Sequence, residues 1–491
     1  MASARIINKK NAPMAGLALF YLAFLGGEFL FDERVGALAG ASAVALAESV
    51  VVGISVAGFL LHPVMLRLAG NRARNVLYAA GGVSAACLVA LGLAGSLGVV
   101  YAAGGVGLLC LGLVGAAAHD AIARADEPVG PGAAVGAAYA AGVLLQVGLQ
   151  LATPGAAPRG VILAAAAVAS AGFARAGLRA AEGGADGEEA GAEVQEGAPS
   201  RTLPILAGII ALMTCIFSTL NVTLTSMHAA GQVDLGSWPR LFLAASALAT
   251  GFVLDKLSRR YAPAALALVS TLSCFAIFSA IGGGPAIVSA MVFYLGSGAF
   301  VVFFTAAFII AGRGCAPAGL WPSMGRVVNN VVSLAVAVPA LVLVTQANGL
   351  AASAVVLVVL AAIYVLVFLG LERGSAATEG SAADLGSGSA PAAAPAPAPL
   401  DTPADSQTSA SLDPAQKLAA FVEAFGLTDR EAEVLGALTT SDANMQELAQ
   451  ELYISRSALY RHISSICKRV GVENRQALLL RYFAWEPDAR D

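Results

Sequence analysis

Twelve stretches of about twenty apolar residues occupy the first three quarters of the chain, and no other feature restricts its folding as strongly. A bilayer core about 30 Å thick takes about 20 apolar residues per spanning helix. In lipid, every backbone polar group must bond within its own segment or close into a barrel, so runs of this length read as helices. They lie near residues 13–31, 42–66, 75–95, 98–118, 132–152 and 158–178, then 204–224, 239–257, 262–282, 285–311, 325–345 and 349–371. The expected fold class is all-α, a polytopic bundle of about twelve helices in a 6+6 repeat, followed by a C-terminal four-helix domain. Arg5, Lys9 and Lys10 precede the first run as they would a signal peptide, but no convincing cleavage site follows and eleven further runs do. It is read as the first span.

Charge divides the chain in two. Only 12% of the 491 residues are charged, against roughly a quarter in a soluble domain. Residues 1–372 hold 34 of the 60 charges, and the much shorter remainder holds 26. The reading is therefore a membrane domain over 1–372, a linker of Ala, Pro, Ser and Gly over 373–411, and a water-facing domain over 412–491. The spans repeat at an offset of 193, which gives halves 13–178 and 204–371 joined by an acidic loop at 181–203 (Glu182, Asp186, Glu188, Glu189, Glu193, Glu196). Such internal repeats mark transporter folds built around a midplane cavity. With the N-terminus inside, about 16 Lys and Arg fall on the inner side, Arg326 among them, and three on the outer side: Arg34, Arg159 and Arg240. This bias puts both termini in the cytoplasm.

Ionisable groups at lipid depth cost several kcal/mol unless paired or hydrated, on the order of 2.5–3.5 on insertion scales. Glu28 in span one and Glu48 in span two are thus candidates for a ligand or proton site, the alternative being structural pairing or a place near the interface. Gln146 and Gln150, four apart on span five, and Asn329 with Asn330 on span eleven either line the same cavity or act as polar glue between helices. Six cysteines include no CxxC pair, so neither a disulfide framework nor a metal site is expected. No catalytic constellation and no cofactor-binding motif is recognisable, and an enzyme is not expected.

At the end of span eight stands Gly251-Phe252-Val253-Leu254-Asp255-Lys256-Leu257-Ser258-Arg259-Arg260. This resembles the G-x-x-x-D-[RK]-x-G-[RK]-[RK] signature of the major facilitator superfamily, with Ser258 replacing the second Gly. Gly251 permits close helix approach, Asp255 is an anion able to pair across the cytoplasmic end, and Lys256, Arg259 and Arg260 hold that end inside. The equivalent place in the first half reads Gly58-Phe59-Leu60-Leu61-His62-Pro63. There His62 replaces the acid, a departure that argues against an ordinary transport cycle.

From Leu412 the pattern changes to short amphipathic helices. Thr428 and Glu431 form a capping box ahead of Val434, Leu435 and Leu438. Asn444 with Glu447 opens a second helix, Ser455 caps a third whose apolar face is Leu459, Ile463, Ile466 and Val470, Gly471 ends it, and a fourth runs through Leu478 to Tyr482. Two short helices, a tight turn and a longer helix predict a helix-turn-helix. From Ser455 to Val470 there are Arg456, Arg461, Lys468 and Arg469 and no acid, whereas the rest of 412–491 holds five basic and twelve acidic residues. A locally positive helix lets a chain of net charge −4 bind DNA.

The string Leu427-Thr-Asp-Arg-Glu431-Ala-Glu-Val434-Leu435, followed by Glu447-Leu-Ala449, Ile454-Ser455, His462, Ile466 and Val470-Gly471-Val472-Glu-Asn-Arg475, closely resembles the LuxR-type helix-turn-helix domain. The resemblance implies a DNA-binding module acting as a homodimer, with contacts on the third helix from Arg456, Ser457, Tyr460, Arg461, His462, Ser464 and Lys468. Where that family often has Thr-Val-Lys-x-His, this chain has Ala458-Leu459-Tyr460-Arg461-His462, so Arg461 stands in for a lost lysine. The combined expectation is a membrane-embedded regulator that senses a small molecule and binds double-stranded promoter DNA. The alternative is a working secondary transporter with a regulatory DNA-binding tail.

Overall fold

The computed structural model describes residues 11–125, 130–183, 202–229, 231–235, 238–256, 262–281, 284–312, 315, 317, 319–346, 354–368, 414–440, 445–454, 456–472 and 475–485. The chain divides into two compact units, Met1–Glu372 and Arg373–Asp491. The proline-rich linker and most of the acidic central loop lie outside the described residues.

The first unit contains α1 (Ala12–Ala39), α2 (Val44–Ala69), α3 (Ala73–Leu93), α4 (Leu97–Arg124), α5 (Pro131–Ala152), α6 (Ala156–Gly183), α7 (Thr202–Ala229), α8 (Arg240–Lys256), α9 (Ala262–Ile281), α10 (Ala286–Ala311), α11 (Met324–Gln346) and α12 (Ala354–Phe368). Among the described residues, nine helices are long and apolar enough to cross a membrane. The offset of 193 holds at the level of helix starts, most closely for α5 at Pro131 and α11 at Met324. Many large exposed side chains of this unit are apolar, for example Leu60, Leu61 and Val64 on α2, Phe252 on α8, and Val358 and Phe368 on α12. That is the surface a lipid solvent selects.

The most extensive packing between the halves is α5 against α8 and α2 against α11. The first is backbone-close: a Cβ on Gly251 would stand 2.5 Å from the Gly132 carbonyl oxygen and 3.0 Å from Gly136 Cα. Small residues at such crossings let dispersion and Cα–H contacts replace the hydrophobic effect, which is absent between helices in lipid.

α1 is longer than the expected first span, continuing through Asp32, Glu33 and Arg34. Two of those charges find partners within the membrane unit. Arg159 of α6 pairs with Glu33 at 2.8 Å, and Arg34 donates to the Ala94 carbonyl.

The second unit holds α13 (Pro414–Phe425), α14 (Asp429–Thr440), α15 (Met445–Glu451), α16 (Arg456–Val470) and α17 (Arg475–Ala484). The four expected helices are present, and α13 is additional. Its Phe421 is fully buried and contacts the rings of Phe425, Tyr482 and Trp485, tying the start of the unit to α17. The core is formed by the apolar faces read from the sequence, including Val434, Leu435 and Leu438 of α14, Leu448 and Ala449 of α15, and Leu459, Ile463, Ile466 and Val470 of α16. Cys467 is buried in the same core; burial pushes its thiol above the usual range, as befits a packing residue.

Candidate functional site

The signature motif at the end of α8 acts as a clasp between the halves. Asp255 accepts hydrogen bonds from the backbone N–H of Gly132 at 2.9 Å and Ala133 at 2.7 Å, the first turn of α5. A carboxylate there meets unsatisfied amides and the positive end of the helix dipole. Lys256 is exposed, with its ammonium 5.7 Å from the Phe252 ring centroid; Arg259 and Arg260 lie outside the described residues. In the related position of the first half, His62 Nδ1–H donates to the Gly319 carbonyl at 3.2 Å, just ahead of α11. The two halves are therefore fastened at symmetry-related places by different chemistry, one by a carboxylate and one by a buried imidazole.

A second link is a hydrogen-bond chain. Thr214 of α7 donates to Asn329 Oδ1 at 3.3 Å, Asn329 Nδ2 donates to Asn330 Oδ1 at 3.0 Å, and Asn330 Nδ2 donates to Ser55 Oγ of α2 at 3.1 Å. Gln146 is buried and donates to the Leu25 carbonyl of α1 at 3.1 Å. Gln150 stands one turn on, in a small cleft with Gly26, Phe29, Leu30 and Arg159. Gln146, Asn329 and Asn330 thus hydrogen-bond between helices, whereas Gln150 Nε2 has no partner among the described residues.

Glu28 and Glu48 belong to a larger charged group than their sequence positions disclose. Glu28 has Glu48, Arg326 and Arg240 as electrostatic neighbours, Asp32 has Glu48, Glu28 and Arg240, and Asn221 of α7 hydrogen-bonds Glu48. The Arg240 guanidinium lies 5.0 Å from the Phe29 ring centroid. Five helices thus contribute: α1, α2, α7, α8 and α11.

Below this group on α1, Tyr21 Oη stands 3.2 Å from His119 Nε2 of α4, and His119 Nδ1 is 2.6 Å from the Gly115 carbonyl. With Nδ1–H donating to that carbonyl, Nε2 accepts from the tyrosine hydroxyl.

Asp32, Arg240 and Arg326 are missing from the candidates named from sequence. Asp32 follows Glu28 by one helical turn, a signal hidden by ending the first span at 31. Arg240 and Arg326 open α8 and α11 and were assigned by position to the outer and inner loops. Arg326 corrects that assignment: it is 6% exposed and packed among aromatic rings.

In the second unit, the capping box forms as expected. Thr428 N–H and Thr428 Oγ1–H both donate to Glu431 Oε2 at 2.9 Å, and Glu431 N–H points back to Thr428 Oγ1 at 3.4 Å. Arg469 reaches Glu431 at 3.4 Å and the Gly426 carbonyl at 2.9 Å, binding the end of α16 to the start of α14. Burial acts to raise the Glu431 carboxyl, but hydrogen bonds from Ser465 and Thr428 and the Arg469 charge outweigh it, and the group is held below its ordinary value.

Along α16, Arg461, Ser464 and Lys468 are exposed, and their spacing of three and four makes one stripe. His462 is half-buried. Arg456, Ser457 and Tyr460 belong to α16, and their side chains lie outside the described residues, as do Asn444 and Ser455. The turn before α16 is set by Tyr453, 95% exposed at φ +53°.

A multi-pass helical bundle and a separate unit with a basic helix-turn-helix define a membrane protein equipped for transcription regulation. Residues 426–481 match the family model of bacterial regulatory proteins, luxR family (GerE), so the second unit carries a LuxR-family DNA-binding domain. The membrane unit has a fold similar to the human organic anion transporter MFSD10, with 18% identity, 73% of this chain and 98% of that chain covered, and a TM-score of 0.52. A bacterial homologue of the iron transporter ferroportin in an outward-facing state (13% identity, 75% and 100% covered, TM-score 0.48) and the major facilitator superfamily proton:xylose symporter XylE (14%, 74% and 93%, 0.43) are also matched. No curated protein matches the chain by sequence. The first unit is thus similar in fold to a membrane transporter.

Proposed function

We propose that this protein is a one-component transcription regulator of the bacterial inner membrane, in which the transporter-like unit senses a small molecule and the LuxR-family unit binds promoter DNA as a homodimer, with both termini in the cytoplasm. The observation that carries the reading is the covalent union of a membrane bundle holding a group of inward-facing charges with a domain whose exposed helix stripe is basic and free of acid. Phosphate contacts from Arg461 and Lys468 position the helix on DNA, while Ser464, His462, Tyr460, Ser457 and Arg456 supply groups for base edges and backbone. Two copies would place two recognition helices one helical turn of DNA apart.

Sensing requires a ligand that binds two arrangements of the membrane unit unequally. The clasp at Asp255, the His62 contact and the Asn329–Asn330 chain join the halves, and so are the places where such arrangements would differ.

The test maps chromosomal binding sites of the full chain in cells and follows a reporter driven by the occupied promoters. Arg461→Ala with Lys468→Ala is expected to abolish occupancy. Glu28→Gln is expected to keep occupancy and change the response to ligand. Accumulation of a ligand in vesicles, abolished by Glu28→Gln, would instead favour the secondary transporter with a regulatory tail.

A further inference from the structure

Arg326 is a buried cation whose hydrogen-bonding edge is unused. Its side chain enters from the first turn of α11, and the residue is 6% exposed. Three rings surround the guanidinium, with centroids 5.6 Å (Tyr21), 5.9 Å (Phe24) and 5.3 Å (Phe304) from its carbon. Ring quadrupoles offset part of the desolvation of a cation, yet they do not accept in-plane N–H groups as a carboxylate does. Nε and Nη2 are both buried and have no hydrogen-bond partner among the described residues.

Those two nitrogens share one edge of the guanidinium, and their N–H bonds run parallel at the separation of the two oxygens of a carboxylate. The same chain shows what fills such an edge. Arg124 donates from Nε to Asp120 Oδ1 at 3.0 Å, with Nη2 in ion-pair contact with Oδ2 at 2.9 Å. At Arg326, no described carboxylate lies within 4.0 Å. Glu28, one turn beyond Phe24 on α1, acts on it only as a longer-range electrostatic neighbour. A cation buried without a paired acceptor is costly in a structural role, whereas an anion arriving from outside would satisfy it.

We infer that Arg326 is the docking residue for the carboxylate of an organic anion with a flat or otherwise apolar body, the body lying against Tyr21, Phe24 and Phe304. The rings come from α1 in the first half and α10 in the second, so a ligand held there touches both halves and can favour one arrangement of them over another. This inference deepens the sensor reading and rests on it for its consequence, though not for binding itself.

The test uses the full chain in lipid nanodiscs and follows thermal unfolding with benzoate, naphthoate and cyclohexanecarboxylate, each beside its carboxamide and its methylamine analogue. At least one acid is expected to stabilise the wild type in the millimolar range while its amide does not. Loss of a charge-assisted hydrogen-bond pair weakens binding by roughly 10- to 100-fold, and Arg326→Gln is expected to show that loss. Arg326→Lys, which keeps the charge without the two-point edge, should fall between, and Arg124→Gln, at an arginine already paired with Asp120, should retain the preference for acid.

The inference is overturned if no acid surpasses its amide on the wild type, if the preference survives Arg326→Gln, if it is lost in Arg124→Gln, or if the amines stabilise instead. Should Arg326→Gln not fold, the wild-type comparison, Arg326→Lys and Arg124→Gln still decide. Acid binding through Arg326 with no change in the promoter reporter would refute sensing and leave the site standing; a reporter response untouched by Arg326→Gln would do the reverse.

Discussion

Glu431 joins the start of α14 to the end of α16. It is 4% exposed and receives the Thr428 N–H and hydroxyl at 2.9 Å, with Arg469 at 3.4 Å from the far end of α16. Removing a capping interaction costs about 1 kcal/mol, and losing the hydrogen bonds across to α16 adds about 1 kcal/mol more. Glu431→Ala should therefore destabilise the C-terminal unit by about 2 kcal/mol. At about 4–8 °C per kcal/mol for a domain of this size, the melting midpoint of a 373–491 fragment falls by roughly 8–16 °C.

Glu431→Gln preserves shape and one acceptor, and should cost about 1 kcal/mol by the loss of charge. Because the folded carboxyl titrates below its ordinary value of 4.5, its stabilisation is fully present above that pH and is lost as pH falls through the lower folded value. The difference between wild type and Glu431→Gln should be constant above about pH 5 and shrink below 4.5. The measurement is thermal or urea unfolding by circular dichroism at steps from pH 7 to 3. A Glu431→Ala effect under about 0.5 kcal/mol, the range of an ordinary surface change, or parallel pH profiles for wild type and Glu431→Gln, would refute the reasoning.

Other consequences concern both units. Asp255→Ala removes two hydrogen bonds and a charge from the start of α5 and should destabilise the membrane unit by about 1 kcal/mol, with Asp255→Asn intermediate; thermal unfolding in nanodiscs reads it. Gly251→Leu places a side chain where even a Cβ is 2.5 Å from the Gly132 carbonyl oxygen, and should abolish monodisperse protein in size-exclusion chromatography. Arg461→Ala with Lys468→Ala should weaken mobility shifts on all sequences and make the dependence of log affinity on log salt shallower by about 1–2 units. Cys467, buried with its thiol held above the usual range, should resist alkylation by iodoacetamide at neutral pH until the unit unfolds.

Much of the architecture was legible because the relevant periodicities are local. The apolar runs anticipated α1 to α12 to within a few residues at most ends, since a spanning helix needs nothing but length and hydropathy. In the second unit, the capping box at Thr428 and the left-handed Gly471 at φ +73° stand where residue type alone placed them. α13 was not anticipated although Leu418, Phe421, Val422 and Phe425 have helical spacing, because it follows a long stretch whose composition reads as linker.

Where the candidate sites are concerned, Glu28 and Glu48 were visible as charges out of place, but the residues they face were not. Arg240 and Arg326 open their helices, and at a helix start the sequence alone does not separate a residue facing water from one turned into the bundle.

Hydropathy, repeat and capping are properties of short segments, and they pointed to the class of fold and to the LuxR-type domain without any coordinates. Which charges meet is a property of helix rotation and of packing between halves separated by nearly two hundred residues. Only the tertiary structure could bring Asp255 to the first turn of α5, Glu48 to Asn221 and Arg326 into its ring of aromatics, because each depends on how one helix is turned against another and not on its own sequence.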